Sequence, residues 1–294
     1  MSFIKQIIPS KSLIRKSEEG IFKGIMYISV SIIFFLLIAI IYGIISKGLP
    51  ALSWEMISSV PEGGFYFGKG GGILNAIVGS IYLALGSTAI ALVIGLPVAL
   101  YMNIHLVNRT KFVNSIRFLL DLLWGVPSIV YGVFAFSIML YIGARVSLLA
   151  GMITVALFIL PVIIRTIDEA MKSVPRDLLE VSLSLGSTKT ETAYRIFVRQ
   201  CMPAIVTATI LAFGRAIGDA AAVILTTGFT DSIPTSLFQP TATLSLSVFF
   251  QLSSPVEEVK ARAYASAALL TIIVLIISLS ARYFSSRYNK SRIK

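Results

Sequence analysis

Long runs of apolar residues, separated by shorter segments rich in Lys and Arg, dominate the chain. An α-helix of about 20 residues crosses the hydrocarbon core of a bilayer, and six of these runs reach that length. Backbone groups inside lipid must form hydrogen bonds within their own segment, so each run is predicted to be a helix. The predicted spans are Ile25–Ile45, Ile73–Met102, Ile116–Ile142, Leu148–Ile167, Pro203–Thr226 and Arg262–Phe284.

The composition supports the same class of protein. Of the 294 residues, 56% are hydrophobic and only 13% are charged, whereas about a quarter are charged in a typical soluble domain. The single Cys and the single His exclude a disulfide framework and a metal cluster built on these residue types. We therefore expect an all-α membrane protein, with a transmembrane domain over residues 25–284 and two tails, residues 1–24 and 285–294.

The distribution of basic residues predicts the orientation. Most of the 25 Lys and Arg residues fall in the two tails, in the loop after the second span and in the loop after the fourth. Basic residues concentrate on the cytoplasmic side of membrane proteins. Both termini and the loop 168–202 are therefore predicted to be cytoplasmic. The net charge of +11 is spread over segments that flank the membrane, so it indicates a lipid environment and no nucleic-acid partner.

The loop 168–202 carries the pattern of two short helices joined by a tight turn. The segment Asp177–Leu185 predicts the first helix, and Gly186 suits the left-handed position that ends it. Thr188 and Glu191 have the spacing of a capping box, which predicts that a second helix begins there. The apolar residues of the first helix that share one face are Leu178, Val181 and Leu185. The local pattern alone is equally compatible with an ordinary interfacial loop.

The same residues resemble a family motif. Glu180-Val181-Ser182, followed by Gly186 and Ile196, resembles the EAA loop of the binding-protein-dependent ABC importers. Val181-Ser182 stands where Ala-Ala is usual, and Val198-Arg199 stands where Leu-Pro is usual. In that family the loop is a coupling helix that docks on the ATPase subunit. The resemblance therefore implies a type I permease fold and a coupling role for Glu180, Val181, Leu185 and Gly186.

Further segments resemble the phosphate permeases of this family, and the PstA type of subunit in particular. The segments that carry this resemblance are Gly71–Ile73, Ala76–Ser80, Gly125–Gly132, Gly214–Asp219, Pro234–Phe238 and Ala242–Leu244. Asp219 stands where Glu is usual, which leaves the anion open. A related importer for sulfate, molybdate or phosphonate remains an alternative, and a secondary transporter is a more distant one. A membrane-embedded enzyme would need convergent nucleophiles, bases or metal ligands, and the sequence offers few.

The family resemblance implies an assembly at the inner membrane. A PstA-type chain is expected to pair with a PstC-type permease, two PstB-type ATPase subunits and a PstS-type phosphate-binding protein. Gly186–Thr190 is the segment nearest to a nucleotide-binding loop, but it lacks the first Gly of that motif. We therefore expect no enzymatic activity and no cofactor in this chain, with ATP and Mg bound by the partner ATPase. The glycine cluster Gly63–Gly72 predicts a flexible turn or a contact with the binding protein.

Charged residues inside the spans are candidates for function because they are costly in a bilayer. Arg215 and Asp219 lie four residues apart in the fifth span, on one helical face. The planar guanidinium of an Arg can hold two oxygens of a tetrahedral oxyanion. Two interpretations remain open: a substrate-path role, in which Asp219 holds Arg215 when no anion is bound, or a charge pair that only locks two helices. Asp121 is predicted to be an interfacial or a helix-packing group, and Pro97, Pro127 and Pro161 are predicted to kink their spans.

Overall fold

The computed structural model describes residues 9–62, 70–175 and 177–289, and within these ranges the chain is helical with no strand. The remaining residues, among them 63–69 of the predicted glycine turn and parts of both predicted tails, lie outside the described ranges. The α-helices are α1 Pro9–Ala51, α2 Trp54–Ser58, α3 Leu74–Leu100, α4 Thr110–Gly125, α5 Ser128–Ile142, α6 Leu148–Lys172, α7 Asp177–Ser184, α8 Lys189–Thr192, α9 Val198–Gly218, α10 Leu244–Gln251 and α11 Glu257–Asn289. Two π-helical segments extend α3 and link α8 to α9: π1 Tyr101–His105 and π2 Ala193–Phe197.

Five helical runs of the described chain are long and apolar enough to cross a membrane. They are Glu18–Ala51, Leu74–His105, Leu148–Lys172, Lys189–Gly218 and Glu257–Tyr283. A sixth span exists if α4 and α5 are counted together, although the two helices meet at an angle of 96°. The all-α fold with about six spans is therefore confirmed. The predicted third span over Ile116–Ile142, for which a kink at Pro127 was expected, is broken into two separate helices.

The break in the third span lies at Gly125–Pro127, a segment that we call the elbow. Proline has no backbone N–H, and its ring disfavours a helical conformation at the preceding residue. Val126 is accordingly extended, with φ −72° and ψ 128°. The Tyr131 hydroxyl on α5 donates a hydrogen bond to the Leu123 carbonyl oxygen on α4 at 2.9 Å, so a side chain bridges the elbow. Pro97 and Pro161, in contrast, lie inside α3 and α6, which are not interrupted there.

The fifth span also differs from its prediction. The continuous helical run begins at Lys189 and ends at Gly218, whereas Pro203–Thr226 was predicted. The apolar residues after Gly218 do not continue the helix, because Asp219 adopts an extended conformation with φ −82° and ψ 116°. Residues 221–227 then form turns. The long apolar run of the sequence therefore contains a helix end that hydropathy alone does not reveal.

The chain divides into two compact units, residues 1–47 and residues 48–294. In the first unit, α1 exposes its apolar side chains, as expected of a helix surrounded by lipid. In the second unit, α3, α6 and α9 pack against one another, and α11 packs against α9 and α10. The buried core contains Leu83 and Ala91 of α3, Ile159 of α6 and Ala208 of α9. Small residues such as Ala91 and Ala208 let membrane helices approach closely.

Two of the segments that resemble phosphate permeases meet in this second unit. Ser80 on α3 is fully buried, and its hydroxyl oxygen accepts a hydrogen bond from the Leu244 backbone N–H at 2.8 Å. Gly79 faces the Ala242 carbonyl oxygen so closely that an added Cβ would overlap that oxygen. The glycine is therefore required by the close approach of the segment that leads into α10.

Candidate functional site

The predicted pair of short helices is present, and we call residues 177–197 the knuckle. Helix α7 ends at Ser184, and Gly186 follows with φ +86°, the left-handed conformation that favours glycine. The Gly186 N–H donates to the Leu183 carbonyl oxygen at 3.0 Å, and the Ser187 N–H donates to the Ser182 carbonyl oxygen at 3.2 Å. These two bonds form a Schellman motif, which satisfies the last carbonyl groups of the helix.

The second helix of the knuckle begins with the predicted capping box. The Glu191 N–H donates to the Thr188 hydroxyl oxygen at 3.2 Å, and the Thr188 N–H donates to the Glu191 carboxylate at 2.9 Å. The hydroxyl groups of Ser182 on α7 and Thr192 on α8 are buried and hydrogen-bonded at 2.8 Å. This bond joins the two helices directly, so the knuckle is a defined structure and not an irregular loop.

The knuckle presents an apolar and acidic surface. Val181 is 56% exposed and Leu185 is 81% exposed, while Glu180 is also exposed. Leu179, on the opposite side of α7, is buried against the rest of the protein. The residues predicted to couple to an ATPase therefore share an exposed part of the knuckle, and Gly186 sets the turn that follows them.

The other predicted site residue, Arg215, lies in the last turn of α9. Its guanidinium carbon is 4.3 Å from the centre of the Phe158 ring on α6. Tyr131 on α5 contacts the same ring edge-on, with the two ring centres 5.7 Å apart. A cation over an aromatic face is stabilised by the ring quadrupole, and more strongly so away from water. Arg215 is thus held by an aromatic ring, which the sequence did not indicate.

The predicted pairing of Arg215 with Asp219 is absent from this structure. The Asp219 carboxylate accepts a hydrogen bond from the Ala222 N–H at 2.8 Å and caps the turn after α9. Because the helix ends at Gly218, Asp219 no longer follows Arg215 by one helical turn. The turn packs closely on α5, since a Cβ added at Gly132 would lie 2.8 Å from the Ala222 carbonyl oxygen. Arg215, Phe158, Tyr131 and Asp219 therefore mark one region, which we call the arginine site.

A second polar cluster, of which the sequence singled out Asp121 alone, joins α4 and α6 near the knuckle. Asp121 on α4 forms an ion pair with Arg165 on α6 at 2.6 Å, in agreement with the predicted helix-packing role. Arg165 also contacts Asp168 at 2.9 Å. Arg117 on α4 and Asn103 of π1 both donate to Asp168 at 2.9 Å. Asp168 is fully buried, and the signal that could have found it is an acidic residue three positions after Arg165 at the end of an apolar run.

Comparison with known proteins identifies sequences of the same kind. Residues 91–290 match the family model described as the binding-protein-dependent transport system inner membrane component. The phosphate transport system permease protein PstA of Haemophilus influenzae is 31% identical over 271 residues, which cover 92% of this chain and 94% of that protein. A probable ABC transporter permease of Bacillus subtilis, YqgI, is 28% identical over 94% of this chain and 98% of its own length.

Solved structures support the fold independently. A chain of the MetNI methionine ABC transporter aligns with 73% of this chain and 95% of its own length, with a TM-score of 0.60 and 16% identity. A chain of a bacterial alginate ABC transporter aligns over 94% of this chain and 98% of its own, with a TM-score of 0.58 and 15% identity. At these identities the similarity establishes the type I importer permease fold and does not identify a substrate.

Proposed function

The chain belongs to the family of binding-protein-dependent transport system inner membrane components, and we propose that it is the permease subunit of an ATP-driven phosphate importer. The observation that carries this assignment is the match to phosphate transport permeases named PstA. It extends over 92% of the chain in one relative and 94% in another. The tightly packed segments Gly79–Ser80 and Ala242–Leu244, which carried the resemblance in the sequence, support the same assignment.

The knuckle is the proposed point of contact with the ATPase. Its exposed Val181 and Leu185 would be costly to leave in water, and exposed apolar side chains grouped on a rigid element are typical of an interface. Glu180 adds a charge beside them. In this proposal the knuckle lies on the cytoplasmic side, as do both termini, and ATP with Mg is bound by the partner subunit.

The arginine site is the proposed place where this chain meets the anion. Arg215 lies in a helix of the core, so its charge needs a compensating environment. The Phe158 ring supplies part of it. A cation–π contact is weaker than a buried ion pair, so an oxyanion that binds Arg215 with two charge-assisted hydrogen bonds can compete with the ring. Asp219 contributes by fixing the turn after α9 rather than by holding Arg215 directly.

The assembly in which the chain works is proposed from its family. A PstC-type permease would complete the path, two PstB-type ATPase subunits would supply energy, and a PstS-type protein would deliver phosphate from outside the inner membrane. Selection among phosphate, sulfate, molybdate and phosphonate would then rest mainly with the binding protein.

Uptake by the reconstituted complex tests the proposed function. The chain would be coexpressed with its candidate partners and reconstituted, and ATP-dependent uptake of radiolabelled phosphate and sulfate would be measured with each candidate binding protein. We expect phosphate uptake that requires both ATP and the phosphate-binding protein. Uptake of sulfate in place of phosphate would contradict the assigned anion, and uptake without any ATPase subunit would contradict the class of transporter.

A further inference from the structure

The buried carboxylate of Asp168 is the centre of a network that joins three elements. Its Oδ1 accepts hydrogen bonds from Asn103 of π1 and from the Nη2 of Arg117 on α4, both at 2.9 Å. Its Oδ2 accepts from the Nε of Arg117 at 3.0 Å and from Arg165 at 2.9 Å. A carboxylate has about four acceptor positions. The four bonds fill them, and the ammonium group of Lys172 on α6 lies 3.4 Å from Oδ2 as an additional cation. The position of Asp168 therefore depends on π1, α4 and α6 together.

The charges of this network alternate between the two helices. On α4, Arg117 is followed one turn later by Asp121, and on α6, Arg165 is followed by Asp168. Arg117 binds Asp168 in a bidentate manner, whereas Arg165 binds both acidic residues. Only Asp168 is fully buried, with 0% of its side chain exposed against 50% for Asp121. Loss of the Asp168 charge would therefore leave the half-buried guanidinium groups of Arg117 and Arg165 with a single carboxylate in this network, that of the half-exposed Asp121.

The network lies between the knuckle and the elbow. On one side, Asn103 and Arg117 line a cavity of about 230 Å³ whose other walls include Val174, Leu179 of α7 and Phe197 of π2. On the other side, α4 continues from Asp121 to the elbow at Gly125–Pro127. Asn103 and Arg117, which share this cavity with residues of the knuckle, are thus connected through Asp168. Arg117 belongs to α4, the helix that ends at the elbow.

The local backbone adds to this interpretation. Asn103 lies in π1, a segment of five residues whose hydrogen bonds differ from those of an α-helix. Its side-chain amide also donates to the Ala99 carbonyl oxygen at 2.9 Å, so the amide joins the backbone of α3 to the carboxylate. Short π-helical segments inside long helices are frequent at functional sites. Asn103 in this irregular segment is a neutral donor to the Asp168 carboxylate.

From these contacts we propose that Asp168 is a positioning residue that couples movement of the knuckle to the angle between α4 and α5. The inference rests on the proposed function as an ATP-driven importer permease. Asp168 holds α4 against α6, and the elbow carries α5, with Tyr131, towards the arginine site. Movement of the knuckle by an ATPase would shift the end of α6. Through Asp168, this shift would reach α4, the first helix of the broken third span.

The test compares Asp168→Asn with Glu169→Gln in the intact reconstituted complex. Glu169 is the neighbouring carboxylate, but it is 69% exposed and pairs with Lys172 at 3.0 Å. Lys172 also lies 3.4 Å from Asp168, so the Glu169 variant affects this outer cation alone and leaves the bonds of Asp168 to α4 and π1 in place. It therefore serves as the matched control. Phosphate uptake and ATP hydrolysis are measured together. We expect the phosphate transported per ATP to fall by about tenfold in Asp168→Asn, a typical coupling effect, and to remain unchanged in Glu169→Gln.

A purely structural role predicts a different result, because misfolded complexes lower uptake and hydrolysis in proportion and leave their ratio constant. An unchanged ratio in assembled Asp168→Asn complexes would overturn the proposal. If that variant does not assemble, Asp121→Asn decides, since it removes only the exposed arm of the network. A lower ratio there supports the proposal, and an unchanged ratio overturns it. Absence of phosphate uptake in the unmodified complex would instead contradict the proposed function itself.

Discussion

At the scale of single residues, Arg215 shows how a charge is accommodated inside an apolar bundle. On insertion scales an Arg at the centre of a membrane helix costs about 2.5–3.5 kcal/mol, and the cost is lower near a helix end, where Arg215 lies in α9. The contact between its guanidinium and the Phe158 ring is worth about 0.5–2 kcal/mol, depending on desolvation. The ring therefore offsets part of the cost without neutralising the charge. A residual positive charge is what a group that meets an anion requires.

The double variant Arg215→Gln/Asp219→Asn distinguishes a path residue from a structural one. We expect Arg215→Gln to abolish phosphate uptake and the double variant to remain inactive, because Asp219 caps the Ala222 N–H and is not the partner of Arg215 in this structure. Uptake by reconstituted complexes is the measurement, with membrane insertion and assembly as controls. Restored uptake in the double variant would show that the two charges form only a structural pair.

The sequence predicted the residue types of this site but not their partners. Arg215 was recognisable because it is a charge in an apolar run, and Asp219 because it follows four positions later. The pairing failed since helical spacing applies only inside a helix, and α9 ends at Gly218. Phe158 carried no signal in the sequence, as aromatic residues are common in any membrane helix. Tyr131 belongs to the segment Gly125–Gly132 that resembles phosphate permeases, but nothing in the sequence placed it near Arg215. Asp168 was hidden for a related reason. Its partners Asn103 and Arg117 come from π1 and α4, which are distant from it in the sequence.

At the scale of elements, local signals were reliable and hydropathy was less so. The knuckle was predicted in detail because Gly186, Thr188 and Glu191 each act through hydrogen bonds within a few residues. The elbow was missed as a break, although Pro127 had been predicted to kink the span. Hydropathy averages over a window, so it joined α4 to α5 and extended the fifth span past its end.

The knuckle provides the prediction that belongs to this scale. In Gly186→Val a β-branched residue must adopt φ +86°, and the left-handed region costs a non-glycine residue about 1–2 kcal/mol. We expect ATPase binding or coupling to fail while membrane insertion is retained, as measured by copurification of the ATPase and by phosphate uptake.

Gly186→Asn is the matched control, because Asn tolerates the left-handed conformation better than most residues. A Cβ at this position meets no neighbouring atom within 4 Å, so a clash of the Cβ with its neighbours does not separate the two variants. The Asn variant should retain most of the uptake. Equal and normal uptake in both variants would show that the geometry of this turn is not needed for coupling.

At the scale of the whole molecule, the arginine site lies beside a helix with a large exposed apolar surface. Helix α5 carries Tyr131 towards Arg215, yet Val133 and Phe134 on the same helix are exposed, as is Trp124 at the end of α4. Lipid or another membrane protein must cover this surface, since apolar groups of this area are not left in water. A path for an anion needs polar walls on all sides. The exposed side chains of α5 named above are apolar, which is the reason for the proposal that a second permease subunit completes the path.

The composition of the purified complex therefore gives the last prediction. Affinity purification of this chain from membranes that also contain its candidate partners should recover a PstC-type permease in equal amount together with two ATPase subunits. Gly186→Val offers a control for the ATPase contact, because it should reduce recovery of the ATPase and leave the permease pair intact. Subunit ratios can be measured by native mass spectrometry. Recovery of the chain alone, or of an active complex with two copies of it, would contradict the PstA-type assignment. The exposed surface of α4 and α5 would then be covered by lipid or by a second copy of the chain.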